Sequence, residues 1–336
     1  MKLHMTPEEI ANIRKRPGLY TSGTDVRGVY RLFFTFVEAV IYESKQSDVC
    51  MEISIDDSDT FHIACDCIPG EMVNLWRDVL YALSCDFDFA VEQDAFQIKF
   101  KPDKAVFSYD AIEYYRIQGR LTELAQLNTN VAFTLAQGAN RNVIHFPSGL
   151  EAMLMGCVYE FGIPLGAKPL NIRFVSEDVT VNASMIYGYS GDVTLSYVNS
   201  GKTHDGGTHA KGLIDGILGA FKRYLPHMDT RFAKNHPMFC LLESINDEPY
   251  VFDVAPKILR RDVVEGLNYV ISLTMERPEQ YAGNTMRKLM NRDVYTIVKQ
   301  GVVEALGCIL EKDPDFFYSS RVVQKAEIRE ILSSKI

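Results

Sequence analysis

The sequence predicts an α/β protein with two domains, and three observations carry this expectation. The 336-residue chain is long enough to enclose two separate hydrophobic cores. Apolar residues recur at helical spacing over residues 25–46, whereas residues 51–65 alternate between apolar and polar side chains around an acidic turn, as a β-hairpin does. A glycine-containing turn at 137–140 then separates the two halves. We therefore expect domains at 1–140 and 141–312 and a helical tail at 313–336.

The first half predicts a mixed succession of helices and strands. Thr6 is followed by Pro7 and two glutamates, which is the pattern of a capped helix start. Besides the long helix and the hairpin, we expect helices at 71–83 and 110–127 and strands at 87–91, 96–100 and 131–136.

The second half predicts a sheet with helices on it. Expected strands lie at 171–176, 181–188, 192–198 and 270–275. A glycine-rich loop at 204–207 leads into a helix that ends near Tyr224. A loop at 277–285, a helix at 293–311 and a short helix at 321–333 complete the chain.

Composition favours a cytoplasmic protein without a membrane span or a metal. The longest apolar runs fall short of the roughly 18 residues that a bilayer requires, and the N-terminus lacks the apolar core of a secretion signal. Seven cysteines without a framework of spacings indicate reduced thiols, and Cys65 and Cys67 are too close together for ordinary zinc spacing. The net charge of −9 argues against direct nucleic-acid binding by this chain alone.

Three segments stand out by their order and spacing: IRKRPGLY at 13–20, HDGGTH at 204–209 and NTMRKL at 284–289. Together they resemble the N-terminal half of DNA gyrase B and its topoisomerase IV counterpart. Weaker similarities occur in the same order at 96–103, 119–128 and 145–150. The resemblance implies a two-layer Bergerat-type sandwich followed by a transducer domain with a left-handed βαβ-type α/β fold. The family's metal-binding and DNA-cleaving regions would follow about residue 336.

The resemblance also implies where the ATPase residues would lie on the first long helix. The position of the family's general base is Thr35, and the position of its magnesium ligand, one helical turn later, is Ala39. Threonine cannot act as a base at neutral pH, and alanine has no oxygen for a metal. Glu38 and Glu43 correspond to acidic residues that flank the family's site, so we interpret them as solvated or structural carboxylates.

The position that reads adenine in the family is Ile63, whose side chain cannot accept a hydrogen bond from the adenine amine. Cysteines replace both glycines of the turn that follows. Asp66 is three residues away, and it could substitute for the missing aspartate only if the loop were rebuilt.

In the family, a long loop that ends in a glycine-rich stretch forms a lid over the phosphates. The corresponding stretch of this chain is shorter and keeps one glycine, Gly70. Trp76 would fill phosphate space with an indole, and Glu71 would place negative charge beside a triphosphate. An ordinary packed helix is the expected structure here. The transducer lysine that reaches the γ-phosphate corresponds to Met286, and the neighbouring Arg287 and Lys288 would reach the phosphate only after a shift of the loop.

The HDGGTH segment places Asp205, Gly206, Gly207, Thr208 and His209 in what the resemblance implies is a structural loop. No nucleophile motif accompanies its histidines, so we expect no catalytic residue there. The two glycines are expected to supply positive φ angles or a close backbone approach.

The chain retains the segments that resemble the family's fold. It lacks all five features that the family uses for ATP: the general base, the magnesium ligand, the adenine-binding aspartate, the glycine-rich lid and the transducer lysine. The first hypothesis is therefore a pseudo-ATPase without a cofactor, an interaction or regulatory module. It would act by self-association or on a protein partner, with a type II topoisomerase subunit as the candidate. A second hypothesis is a divergent ATPase that binds ATP and magnesium with Glu38, Asp66 and Arg287 or Lys288. A third is a decoy or inhibitor that mimics gyrase B.

Overall fold

A computed structural model describes residues 5–44, 47–158, 168–188, 191, 193–224, 257–276 and 287–312, together with positions 322, 325, 326, 329 and 333. The contacts between Cα atoms divide the chain into two compact units, one up to Gly149 and the other from Leu150. Within the described ranges, every helix is too short or too polar to cross a bilayer.

The first unit is a six-stranded mixed sheet with helices packed on its apolar face. Its described helices are α1 (Pro7–Lys15), α2 (Gly18–Thr21), α3 (Val26–Ser44), α4 (Glu71–Ala82) and α5 (Tyr114–Leu127). Its strands are β1 (Val49–Ile55), β2 (Phe61–Cys65), β3 (Ser84–Glu92), β4 (Ala95–Pro102), β5 (Val131–Gln137) and β6 (Asn140–Ile144). The order across the sheet is β3-β4-β2-β1-β5-β6, with β1 and β5 parallel and the other neighbours antiparallel.

Alternation along the strands places the core of this unit under α3. Successive residues of β1 and β2 alternate between buried and more exposed positions, as strands with one covered face do. The buried face of α3 meets them, and the rings of Phe33, Phe61 and Phe100 stack with centroid separations of 4.9 and 4.8 Å. The expected long helix and hairpin at the start of the chain are confirmed.

Two expected boundaries differ from those in the structure. Strand pairing moves the first, and hydrogen bonds to side chains move the second. The turn at 137–140 joins β5 to β6 inside one antiparallel hairpin, so the first unit continues to Gly149 instead of ending at residue 140. The expected helix at 110–127 begins only at Tyr114. Ile112 N–H donates to Asp59 Oδ1 and Glu113 N–H to Tyr30 Oη, and these bonds hold the preceding residues in a non-helical path.

The second unit carries a five-stranded sheet in the order β10-β9-β11-β8-β7. Its described helices are α6 (Leu150–Val158), α7 (Thr208–Tyr224), α8 (Arg260–Val264) and α9 (Arg292–Lys312). Its strands are β7 (Leu170–Ser176), β8 (Val179–Tyr187), β9 (Thr194–Val198), β10 (Gly201–Lys202) and β11 (Leu267–Thr274). The chain between the parallel strands β9 and β11 includes α7, which packs closely on α9.

Glycines set the approach of α7 to α9. A Cβ atom on Gly216 would lie 2.7 Å from Val302 Cβ, and one on Gly212 would lie 3.0 Å from Tyr295 O. The expected loop at 277–285 and most of the expected helix at 321–333 lie outside the described residues. Val322 and Ala326, from that last segment, are helical and belong to the core of the second unit.

Candidate functional site

Of the two α3 positions where the resemblance implies the base and the metal ligand, one is half-buried and the other is buried. Thr35 is half-buried, and its hydroxyl donates to the Arg31 carbonyl at 2.8 Å, one turn back along the same helix. The Ala39 methyl group is 5% exposed and belongs to the core. The Ala39 methyl group has no oxygen for a cation, and a threonine hydroxyl cannot act as a general base at neutral pH.

Glu38 is engaged in an ion pair with a neighbouring helix. Its Oε1 lies 2.8 Å from Nη2 of Arg120 on α5, and the same guanidinium also binds Glu123. All three side chains are largely buried. A carboxylate held in this way is a poor candidate for polarising an attacking water, because its lone pairs already accept from a cation.

The position where the resemblance implies the adenine-reading residue is part of the sheet interior. Ile63 is 2% exposed and is paired in register with Ile53 on β1 and Ile98 on β4. Asp66 is exposed, and its Oδ1 accepts the backbone N–H of Cys50 at 2.7 Å, which extends the β1–β2 hairpin by one rung. The structure therefore shows Asp66 closing a hairpin rather than pointing a free carboxylate into a pocket.

The N-terminus of α4 is occupied by a carboxylate from α3. Gly70 is the N-cap and has no side chain to satisfy the first amide groups of the helix. Glu43 reaches across and accepts from the backbone N–H of Met72 and, at 3.2 Å, from that of Val73. A Cβ atom on Gly70 would lie 2.6 Å from the Glu43 carboxyl carbon, so a side chain at this position would displace the carboxylate.

This contact fills an anion site with a group of the protein itself. Helix N-termini attract phosphates and carboxylates because unpaired N–H groups and the helix dipole both favour negative charge there. Glu43 takes that place on α4. Sequence reasoning assigned Glu43 only a flanking or structural role. The signal that could have found this contact is a glycine N-cap followed by a helix without its own capping side chain.

The rest of α4 is built as a packed structural helix, as expected for this segment. Trp76 is half-buried and packs on the core of the first unit. Arg77 and Asp78 form a buried ion pair, and Asp78 Oδ2 accepts the Met5 N–H at 2.9 Å, which ties the start of the described chain to α4.

The two family-like segments of the first unit meet each other. Arg14 donates to the Ala82 carbonyl at the end of α4, at 2.7 Å, and forms an ion pair with Asp103. The Arg14 guanidinium, helped by the Ala105 N–H, holds the pKa of Asp103 below its usual range. These motif residues have a structural role here, because they tie α1 to α4 and to the end of β4.

The glycine loop of the second unit forms a backbone bridge. Gly206 has φ of +65° and Gly207 of +147°, and a Cβ atom on Gly207 would lie 2.5 Å from the Leu289 carbonyl oxygen. Leu289 N–H donates to Gly206 O, and Thr208 N–H donates to Leu289 O at 3.0 Å. The structure thus places both positive φ and a close backbone approach where the sequence predicted them.

The charged residues beside this loop pair with each other. Asp205 binds the Arg287 guanidinium through two contacts of 3.0 and 3.2 Å, and Arg287 holds the Asp205 pKa below its usual range. Met286, where the resemblance implies the transducer lysine, lies outside the described residues. Lys288 is exposed.

His209 is sealed in the second unit. It is fully buried, and its Nε2 lies 3.3 Å from Thr203 Oγ1, which in turn lies 2.7 Å from Ser196 Oγ. Burial lowers the pKa of His209 to about 4, so the imidazole is neutral near pH 7. This Ser–Thr–His chain has the residue types of a hydrolase site but no access to solvent.

A shallow pocket with a volume of about 420 Å³ lies on the outer face of the first sheet, away from α3 and α4. Its lining is mixed in charge and includes Glu52, His62, Asp88, Lys99 and Arg141. Of the positions that correspond to the ATPase residues, it touches only Ile63, a residue of the strand itself.

Comparison with known proteins decides the family. A family model described as DNA gyrase B matches residues 158–331, which is more than half of the chain. The chain belongs to the DNA gyrase B family. The gyrase B protein of Eisenibacter elegans is 31% identical over 226 residues, which cover 65% of this chain and 43% of that protein. The gyrase B protein of Thermus thermophilus is 29% identical over 221 residues, covering 65% of this chain and 31% of that protein. The chain thus spans less than half the length of these relatives.

Solved gyrase B structures show the same fold. The 43K ATPase domain of Thermus thermophilus gyrase B, in complex with an aminocoumarin, superimposes with a TM-score of 0.79 at 20% identity and covers 98% of this chain and 97% of that one. The topoisomerase IV ATP-binding domain of Francisella tularensis gives a TM-score of 0.69 at 22% identity, covering 94% and 97%. The expected gyrase-B-like α/β fold with two sheets is therefore confirmed.

Proposed function

We propose that this chain is a non-catalytic member of the gyrase B family, a pseudo-ATPase that acts through protein contacts. The observation that carries the proposal is the Glu43 carboxylate on the N-terminus of α4. In a helix built to hold a triphosphate, that position would be left open for the ligand.

Electrostatics oppose nucleotide binding at this helix. A phosphate oxygen placed where Glu43 lies would have to displace the carboxylate, and Glu71 adds a second negative charge in the first turn. Both carboxylates oppose a phosphate at this helix, although solvent screens the charge of Glu71 because that side chain is exposed.

Three of the four groups that a rebuilt ATPase site could use are already engaged, and the fourth, Lys288, is exposed. Glu38 pairs with Arg120, Asp66 accepts from Cys50, and Arg287 pairs with Asp205. Releasing each of them would break a hydrogen bond or an ion pair within the fold. Thr35 and Ala39 offer no replacement for the base and the metal ligand, and loss of a general base alone costs about 10²–10⁴ in rate.

The decisive experiment is a calorimetric titration of the full chain with magnesium and ATP, and with a non-hydrolysable analogue, alongside light-scattering mass. We expect no heat of binding, no phosphate release and no change of mass. An ATPase-competent gyrase B fragment in the same cell is the positive control. Micromolar binding with a monomer-to-dimer shift would contradict the proposal and would favour the divergent ATPase.

We further propose that the contact partner in the cytoplasm is a second copy of this chain or a type II topoisomerase subunit. Family membership supports this choice. Purified gyrase and topoisomerase IV subunits immobilised separately should capture the chain if a topoisomerase is the partner, and light scattering should give a dimer mass if it self-associates. A monomer that none of these subunits captures would contradict the proposed partners.

A further inference from the structure

Two cysteines in the first unit lie within reach of one another. Cys65 ends β2 and is 3% exposed, and Cys67 follows it after one residue and is half-buried. Their Sγ atoms are 3.0 Å apart and share a hydrogen bond. A disulfide bond is about 2.05 Å long, so the sulfurs need to approach by only about 1 Å.

We propose that Cys65 and Cys67 form a reversible dithiol–disulfide site that exchanges with a small disulfide of the glutathione class. The site does not depend on the pseudo-ATPase proposal, because it uses neither nucleotide nor magnesium.

The surroundings assign different roles to the two sulfurs. The hydrogen bond to Cys67, and then burial, raise the pKa of the Cys65 thiol, so Cys65 keeps its proton. The hydrogen bond that Cys65 donates lowers the pKa of Cys67, against the opposing effects of burial and of the Asp66 and Glu43 carboxylates. Cys67 is also the more exposed sulfur, so it is the attacking thiolate and Cys65 is the resolving thiol.

The exchange balances in two steps. The Cys67 thiolate attacks one sulfur of the small disulfide, whose S–S bond breaks and releases one thiolate. Cys65 then gives its proton to that thiolate and attacks the Cys67 sulfur, which forms the Cys65–Cys67 disulfide and releases the second small thiolate, and this thiolate takes a proton from solvent. Two protein thiols are oxidised by two electrons, and one small disulfide is reduced to two thiols.

The surroundings of Cys50 and Cys85 differ from those of this pair. Cys50 is exposed, but burial of its sulfur and the nearby Asp66 carboxylate raise its pKa, which lowers its reactivity. The Cys85 thiol makes a weak contact of 3.7 Å with the Lys101 carbonyl. The pair at 65 and 67 differs from both because its contact joins two sulfur atoms.

The test uses the full chain with Cys50→Ser, so that the tryptic peptide 46–77 carries only the two cysteines in question. The protein is equilibrated in glutathione buffers from fully reduced to fully oxidised, quenched with acid, alkylated and analysed by mass. We expect that peptide to lose two hydrogens and to escape alkylation as the buffer becomes oxidising, and to recover in excess thiol.

Single variants assign the roles. Cys65→Ser removes the resolving thiol, so Cys67 should accumulate one glutathione. Cys67→Ser should give neither the internal disulfide nor a stable adduct at Cys65. Circular dichroism checks the fold of each variant. If Cys65→Ser fails to fold, the Cys67→Ser variant is used for the test, because Cys67 is half-buried and its replacement disturbs the core less. Full alkylation of both thiols in the most oxidising buffer, or a stable double glutathione adduct, would overturn the proposal.

Discussion

At the scale of single residues, Glu43 shows how a side chain from one helix can cap the N-terminus of another. It supplies from α3 the anion that α4 requires at its N-terminus, where Gly70 offers no cap of its own. The first N–H groups of α4 therefore bind a carboxylate of the protein, and a phosphate would have to compete with it.

Replacing Glu43 tests this role directly. We expect Glu43→Ala to lower the free energy of unfolding by about 1 kcal/mol, the usual cost of losing a helix cap. Glu43→Gln should cost less, because an amide oxygen still accepts the two N–H groups. Glu71→Gln, in the exposed first turn of α4, is the matched control with an expected loss of a few tenths of a kcal/mol. Equal losses from Glu43→Ala and Glu71→Gln in urea unfolding would contradict the capping role.

His209 makes stability depend on pH. The unfolded chain binds a proton on this imidazole below about pH 6.5, whereas the folded chain binds it only below about pH 4. The stabilisation is therefore complete above pH 6.5 and is lost as pH falls through this window, by about 3 kcal/mol in all. In His209→Gln the unfolding free energy should lack this component between pH 7 and pH 4. If the unfolding free energy of the variant still falls with decreasing pH as steeply as that of the wild type, the effect comes from carboxylates instead.

At the scale of elements, the glycine loop holds the start of α7 against the segment that contains Leu289. The bridge is made of backbone groups, so its strength depends on how closely the two chains can approach. Gly207 is the residue that allows this approach.

We expect Gly207→Ala to destabilise the second unit by about 2–3 kcal/mol, because the new methyl group would overlap the Leu289 backbone at an unfavourable φ. Gly156→Ala on α6 is the matched control. No atom outside the local chain lies within 4 Å of that Cβ position, and alanine should stabilise the helix by about 0.5–1 kcal/mol. Thermal unfolding of both variants measures the contrast, and a neutral Gly207→Ala would refute the argument.

The element boundaries show which structural features a local sequence pattern can predict and which it cannot. The capped start at Thr6, the long α3 and the β1–β2 hairpin follow from spacing and capping residues within a few positions of each other. The turn at 137–140 has the same composition whether it separates domains or joins two strands. Only the pairing of β6 with β5 assigns it to a hairpin, and that pairing is absent from local composition.

At the scale of the whole molecule, the pseudo-ATPase proposal predicts that nucleotide leaves global stability unchanged. A micromolar site would raise the unfolding free energy by about 4 kcal/mol at millimolar ATP, because binding only the folded state shifts the equilibrium. We expect no change in melting temperature with magnesium and ATP. An ATPase-competent gyrase B fragment should show the full shift in the same assay, and a comparable shift in this chain would reveal a working site.

The sequence by itself determined most of the helices and strands, and it determined the residue types at the positions where the resemblance implies the family's catalytic residues. Thr35, Ala39 and Ile63 lack the required chemistry in any packing, because a hydroxyl, a methyl group and an alkyl chain cannot become a base, a metal ligand or an adenine acceptor. Tertiary structure alone decided where the remaining charges go. Glu43 meets the N–H groups of α4 across 29 and 30 residues of chain, and Glu38 meets Arg120 across 82. Such contacts depend on how helices and strands pack together, which local spacing does not encode.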